Sequence, residues 1–174
     1  PNAYKPDDVV RGLSGKTIEV INTDAEGRVV LSDAIEYANK LKVDEMVDLA
    51  TLTGACMVAL GNYTAGLFSN NITLKDKLLK ASLMSGEKMW QLPLDEELRS
   101  SIDSQVADVK NSASTRYGGA ITAAMFLEFF VDKKVPWSHI DIAGPAYIDK
   151  DRGWCAPGST GFGVRSLINY LNLS

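Results

Sequence analysis

The stretch Asn22-Thr23-Asp24-Ala25-Glu26-Gly27-Arg28 decides how the rest of the chain is read. An apolar run over 17–21 precedes it and reads as a strand, and an amphipathic helix follows. In extended backbone, side chains two residues apart share a face, so this spacing places the Asp24 and Glu26 carboxylates on one side. Gly27 is expected to let the chain turn sharply, and Arg28 to carry a fixed positive charge into the same corner. Two neighbouring carboxylates repel unless a cation or proton separates them, and a divalent ion bound through oxygen answers that repulsion. On spacing alone, a solvated strand end is the competing reading.

Working outward, Leu31, Ala34, Ile35, Ala38 and Leu41 recur at helical spacing and predict a helix over 28–41. Its N-terminal partial positive charge would add to Arg28 and favour anions nearby. Residues 46–50 read as a buried strand of the kind found in parallel sheets. That strand runs into Thr51-Leu52-Thr53-Gly54. Ligands of open α/β sheets sit at the carboxyl ends of strands, which makes this loop a candidate site wall. Residues 55–60 read as a helical turn, and 66–69 close another strand. The periodicity predicts a helix over 74–90, with Met84, Met89 and Trp90 in the core. Residues 95–104 are charged and read as surface. Residues 120–130, apolar almost all round, predict a buried helix. Before it, Asp108 and Asn111 fit turn and capping roles better than ligand roles. Residues 137–144 read as a strand with Trp137, His139 and Asp141 on one face, and 164–171 as a last helix. Alternating strands and helices predict an α/β sheet covered by helices.

The chain has 174 residues, enough for one domain with a sizeable core, and its 45% hydrophobic content is ordinary. The 18 basic and 22 acidic residues give a net charge of −4 with no long block of either sign, which argues against nucleic acid or a membrane surface as partner. The uncharged run over 49–74 is broken by Gly, Thr and Asn and makes a poor membrane span. Cys56 and Cys155 alone make no disulfide framework, so a reducing, cytoplasmic setting is expected.

Rival chemistries fail on their details. Ser14-Gly15-Lys16-Thr17 ends like a phosphate-binding loop, but Val10 stands where its first glycine belongs and a strand follows, so it reads as a glycine turn. Gly161-Phe162-Gly163 lacks the third glycine of a dinucleotide fingerprint, since Ser166 stands there. His139, the only histidine, invites a Ser-His-Asp reading, yet there is no Gly-x-Ser-x-Gly elbow. A histidine hydrogen-bonded within the core is the expected outcome.

The quoted stretch resembles the signature of the leucyl aminopeptidases, the cytosol aminopeptidase family of two-metal exopeptidases. The resemblance continues, in the family's order, through Asp48-Leu49-Ala50-Thr51-Leu52-Thr53-Gly54-Ala55 and Gly119-Ala120-Ile121-Thr122-Ala123-Ala124. It goes on through His139-Ile140-Asp141-Ile142-Ala143-Gly144 and Thr160-Gly161-Phe162-Gly163-Val164-Arg165. It implies a three-layer α/β/α fold with a mixed, largely parallel sheet. It also implies release of N-terminal amino acids from peptides, with leucine-type preference, by hydrolysis assisted by two divalent ions (zinc, manganese or magnesium). By the same resemblance Asp24 and Glu26 are metal ligands, with Glu26 bridging both ions and Asp24 also offering its backbone carbonyl. Arg28 matches the catalytic arginine, which holds a bicarbonate ion acting as general base. Asn22, Thr51, Leu52 and Gly54 match substrate-pocket positions, the Leu52 carbonyl steadying the tetrahedral intermediate through the substrate nitrogen. The family assembles as hexamers, which implies self-association and no foreign partner.

One departure stands out. In the family a lysine and two further aspartates, drawn from a segment upstream of the part this chain resembles, complete the metal site. No substitute for them is found in this sequence. Residues 1–174 are therefore expected to be the C-terminal portion of a catalytic domain, with an incomplete metal site and no activity alone. The alternative is a non-catalytic binding or structural module that keeps the fold.

Overall fold

A computed structural model describes residues 3–173. In chain order the elements are β1 (Val9–Arg11), β2 (Thr17–Glu19), α1 (Glu26–Lys40), β3 (Met46–Ala50), α2 (Gly54–Leu60), β4 (Ala65–Ser69) and α3 (Ile72–Ser85). They continue as β5 (Met89–Gln91), β6 (Val109–Lys110), α4 (Gly119–Glu128), β7 (Trp137–Asp141), β8 (Tyr147–Ile148), β9 (Gly158–Ser159) and α5 (Val164–Asn172). A single 3-10 turn covers Thr23–Ala25, and a seven-residue 3-10 helix covers Glu96–Ile102. Composition allows one domain; the chain instead divides into two compact units, one from Pro1–Met46 and Leu94–Val135, the other from Val47–Pro93 and Pro136–Ser174.

In the first unit β2 is the middle strand, antiparallel to β1 and parallel to β6. The β1–β2 connection is the expected glycine turn. Gly12 N–H donates to the Lys16 carbonyl at 2.8 Å, and Gly15 takes φ +94°, a conformation side-chain-bearing residues avoid. Two carboxylates of α1 hold this turn. Asp33 accepts from Leu13 N–H at 2.8 Å, and Glu36 accepts from both the N–H and the hydroxyl of Ser14.

That anchoring changes which face of α1 is buried. The predicted apolar stripe contributes only Ile35 to the interior, while Ala34 and Leu41 are exposed. The buried residues are Arg28, Ser32, Ile35 and Glu36, one helix face at i, i+4, i+7 and i+8. A buried carboxylate is tolerated there because its hydrogen bonds replace those of water. Helix α4 matches expectation, with Ala120 and Thr122 through Leu127 buried, and Asn39 of α1 reaches past its end to the Phe130 carbonyl at 2.8 Å.

In the second unit the strand order is β3-β7-β4-β5, with β4 antiparallel to β7 and parallel to β5. Its core gathers Ala65, Leu67, Leu74, Leu78, Ala81, Met89, Ile140 and Tyr170. Each large aliphatic side chain buried there contributes roughly 1.5–3 kcal/mol. β3 was expected to be buried but is half-buried throughout, because it is an edge strand of this sheet among the described residues. Helix α3 stops at Ser85, short of the predicted 90, because Gly86 takes the left-handed conformation at φ +71° and ends it. The chain then pairs with β4 as β5, burying Met89 but leaving Met84 and Trp90 exposed. The expected mixed α/β class, with parallel and antiparallel pairing in one sheet, is what the structure has. No helix of the described residues is long and apolar enough to cross a membrane.

Candidate active site

In the first unit, β2 delivers the chain to Asn22, which is still extended. The Asn22 side-chain oxygen accepts from Asp24 N–H at 3.0 Å and starts the 3-10 turn that runs directly into α1 at Glu26. Thr23–Ala25 therefore forms a 3-10 turn, and Ala25, at φ −93° and ψ 35°, joins it to α1. The extended backbone from which a shared face of Asp24 and Glu26 is expected is thus absent between them. The Asn22 cap is the reason. Gly27 makes no sharp bend either: it sits in the first turn of α1, with open space where a Cβ would be. Asp24 and Glu26 are exposed, while Arg28 is only 8% exposed.

A residue outside the quoted stretch holds it in place. Asn111 is fully buried, and its side-chain oxygen accepts from the N–H groups of Ile21 and Asn22 at 2.8 and 3.3 Å. Its side-chain amide donates to the Asn22 carbonyl at 2.7 Å, and its backbone carbonyl accepts from Arg28 Nη1 at 2.9 Å. One buried asparagine thus fixes both the strand end that leads into the carboxylates and the guanidinium that follows them. Asp108 accepts from the N–H and hydroxyl of Thr17, both at 2.7 Å, and these bonds hold its carboxyl below the usual carboxylate range. Both residues are structural, but they do not act as the turn and capping residues expected: they tie to the distant segment Thr17–Asn22.

In the second unit, Thr51 and Leu52 belong to the loop between β3 and α2, and Gly54 is the first residue of α2. The loop's organiser is Asp141 on β7, which is fully buried. Asp141 Oδ1 accepts from Leu52 N–H and Ala143 N–H, each at 3.1 Å, and more weakly from Thr53 N–H at 3.4 Å. Oδ2 accepts from the Thr53 hydroxyl at 2.7 Å, and that hydroxyl in turn accepts from Cys56 N–H at 3.0 Å to cap α2. Burial and the Asp141 charge push the Cys56 thiol up to about 11. Across the same region, a Cβ on Gly144 would lie 2.3 Å from the Gly61 carbonyl oxygen, so only glycine fits. The sequence placed Asp141 on a strand face without a role. The available signal was a charge set between Ile140 and Ile142, which needs committed donors once buried.

His139 is fully buried, with Nδ1 2.5 Å from Asp48 Oδ1, and Trp137 Nε1 donates to the other Asp48 oxygen at 2.7 Å. The rings of Phe68 and Trp137 stack with that of His139, their centroids 6.0 and 6.4 Å away. Its acid partner is thus Asp48, while Ser138 bonds the Ser69 hydroxyl. This is the expected core histidine and not a serine-hydrolase triad.

Among the described residues, no group of three or more His, Cys, Asp and Glu is placed to hold a metal ion. Asp24 and Glu26 alone offer too few oxygens for a hard divalent ion, which takes six or more.

The site residues thus lie in a mixed α/β chain, with Asp24 and Glu26 exposed and Arg28 buried and bonded to the Asn111 carbonyl. The chain belongs to the cytosol aminopeptidase family: the family described as "Cytosol aminopeptidase family, catalytic domain" matches residues 1–168. It is 55% identical over 171 residues to a probable cytosol aminopeptidase of Aquifex aeolicus, covering 98% of this chain and 34% of that one. It is 54% identical over 169 residues to the corresponding protein of Persephonella marina, covering 97% and 34%. Among solved structures it superposes on a tomato leucine aminopeptidase mutant with a TM-score of 0.93 at 46% identity, covering 98% of this chain and 33% of that one. A bottromycin maturation enzyme gives a TM-score of 0.93 at 45% identity, covering 97% and 38%. The chain therefore spans about a third of the length of the curated relatives it matches, 34% for the first two.

Proposed function

We propose that this chain supplies the later part of the catalytic domain of a metal-dependent exopeptidase that removes N-terminal amino acids, leucine-type residues preferred, from peptides. The observation that carries the reading is the intact signature: Asp24 and Glu26 exposed, with the nearly buried Arg28 tied to Asn111 beside them. In two-metal hydrolases the ions polarise the scissile carbonyl and acidify the attacking water. This chain's share is two ligands, Asp24 and Glu26, to be joined by donors outside the described set. Arg28 offers a fixed cation for a small anion such as bicarbonate, its position held by the Asn111 carbonyl. Asn22, Thr51, Leu52 and Gly54 bind the substrate, and Asp141 keeps the Thr51–Gly54 loop in shape through the Leu52 and Thr53 N–H groups. Alone, the 174 residues are inactive. The names of the relatives support a cytosolic setting, and self-association into hexamers is part of the same proposal.

The test is a chimera in which residues 3–170 replace the matching part of the Aquifex aeolicus relative. With manganese present it should hydrolyse leucine 4-nitroanilide, and Glu26→Gln should abolish this. A well-folded chimera that never hydrolyses the anilide, or one indifferent to Glu26→Gln, refutes the proposal.

A further inference from the structure

We propose that the second unit carries a binding site for a small aromatic carboxylate, beyond the aminopeptidase reading, in a cavity of about 330 Å³. Its lining brings together Tyr63, Lys88, Arg152, Trp154, Phe162 and Arg165. The cations are oriented. The Arg152 guanidinium carbon sits over the Tyr63 ring, 3.8 Å from its centroid, and the group gives one N–H to the Asn62 carbonyl at 3.1 Å. Arg165 lies 5.7 Å from the Trp154 centroid. A stacked guanidinium is held in plane and presents its remaining N–H edge as a fork that fits a carboxylate. Lys88 forms no ion pair among the described residues.

One carboxylate, Glu87, also borders the cavity, but it is already committed. It is almost fully buried, with Oε2 accepting from Ser166 N–H at 2.8 Å and Oε1 3.5 Å from Arg165 Nε. Three cations therefore face a single engaged anion, and the cavity favours a guest of negative charge. Inorganic phosphate has no apolar body to fill the aromatic part of the cavity, which favours an aromatic carboxylate over it. The other walls are the rings of Tyr63, Trp154 and Phe162, which suit a flat apolar body. The volume is at the small end for ligand cavities, enough for about one ring and its acid group.

The experiment is calorimetric titration of the protein with phenylacetate, phenylacetamide, inorganic phosphate and N-acetyl-glycyl-phenylalanine. Phenylacetate should bind, with phenylacetamide and phosphate each weaker by roughly tenfold or more. Arg152→Gln, Arg165→Gln and Lys88→Gln should each weaken phenylacetate by roughly fivefold or more, while Lys80→Gln on the outer surface of α3 changes nothing. Circular dichroism checks that each variant stays folded, and Arg165 and Lys88 are exposed enough to be replaced without disturbing the core. Binding of phenylacetate without the peptide identifies a free acid as the guest, and binding of both identifies a peptide C-terminus; either sustains the site. Equal binding of acid and amide, phosphate binding as tightly as the acid, no binding of phenylacetate, or indifference to all three substitutions overturns it.

Discussion

Replacing Asp141 by Asn probes the loop on which substrate binding is proposed to depend. Asp141 is fully buried, and its two oxygens accept from Leu52 N–H, Thr53 N–H, Ala143 N–H and the Thr53 hydroxyl. Asparagine keeps the shape and one acceptor oxygen but loses the charge, and its NH₂ meets a hydroxyl that already accepts from Cys56 N–H. A hydrogen bond to a charged group contributes about 1.5–3 kcal/mol, so Asp141→Asn should cost about that much. Asp141→Ala removes every acceptor, leaves the donors stranded in the interior, and should cost about 3–5 kcal/mol. The loss should be local as well as global. Hydrogen exchange at Leu52, Thr53 and Ala143 should speed up by roughly thirtyfold in Asp141→Asn for a 2 kcal/mol loss. Thr53→Val should reproduce part of the effect and couple to Asp141→Asn in a double-mutant cycle. Urea unfolding followed with exchange at these amides is the assay. If Asp141→Asn leaves their exchange unchanged and costs under about 0.5 kcal/mol, the carboxylate does not organise the loop.

Three further outcomes follow from the same geometry. At pH 8 a disulfide reagent should label Cys155 in the native protein and spare Cys56, whose thiol is buried and pushed up to about 11, both becoming reactive in denaturant. Gly144→Ala should destabilise by about 1–3 kcal/mol, since its Cβ would meet the Gly61 carbonyl at 2.3 Å and backbone must move; a neutral result would mean the two segments are looser than described. Asp108 is held below the usual carboxylate range by the Thr17 donors, so its contribution is complete above its unfolded pKa of about 3.9 and is lost as pH falls through the lower folded value. Asp108→Asn should therefore flatten the acid side of the stability profile; an unchanged slope below about pH 4 would rule out the Thr17 bonds as its cause.

Periodicity located most of the long elements, because a packed helix face leaves a 3.6-residue record: α1, α4 and α5 lie close to their predicted ranges. Short strands leave none, and β1, β6, β8 and β9, of two or three residues each, were not legible. The helix predicted over 74–90 exceeds α3 because Met84, Met89 and Trp90 continue an apolar pattern that Gly86 interrupts geometrically. The buried face of α1 was misread for a related reason. Glu36 and Ser32 look like surface residues until the Ser14 donors that bury Glu36 are in place, and those lie 22 positions away along the chain. At the candidate site the residue types were legible and their conformation was not. The string Asn22 to Arg28 named its carboxylates and guanidinium, but the 3-10 turn that replaces extended backbone at Asp24 depends on one side-chain cap. Asn111 and Asp141, which hold the two parts in place, act through bonds across 83 to 90 positions, beyond the reach of local pattern.

The central claim is that Asp24 and Glu26 are part of a metal centre that this chain alone does not complete. Calorimetric titration of manganese and of zinc into the 174-residue protein, its Asp24→Asn and its Glu26→Gln forms, with leucine 4-nitroanilide turnover measured on the same samples, addresses it directly. The account predicts weak binding, on the order of millimolar, that either substitution removes, and no turnover. Submicromolar binding with turnover, or weak binding indifferent to both substitutions, would contradict it.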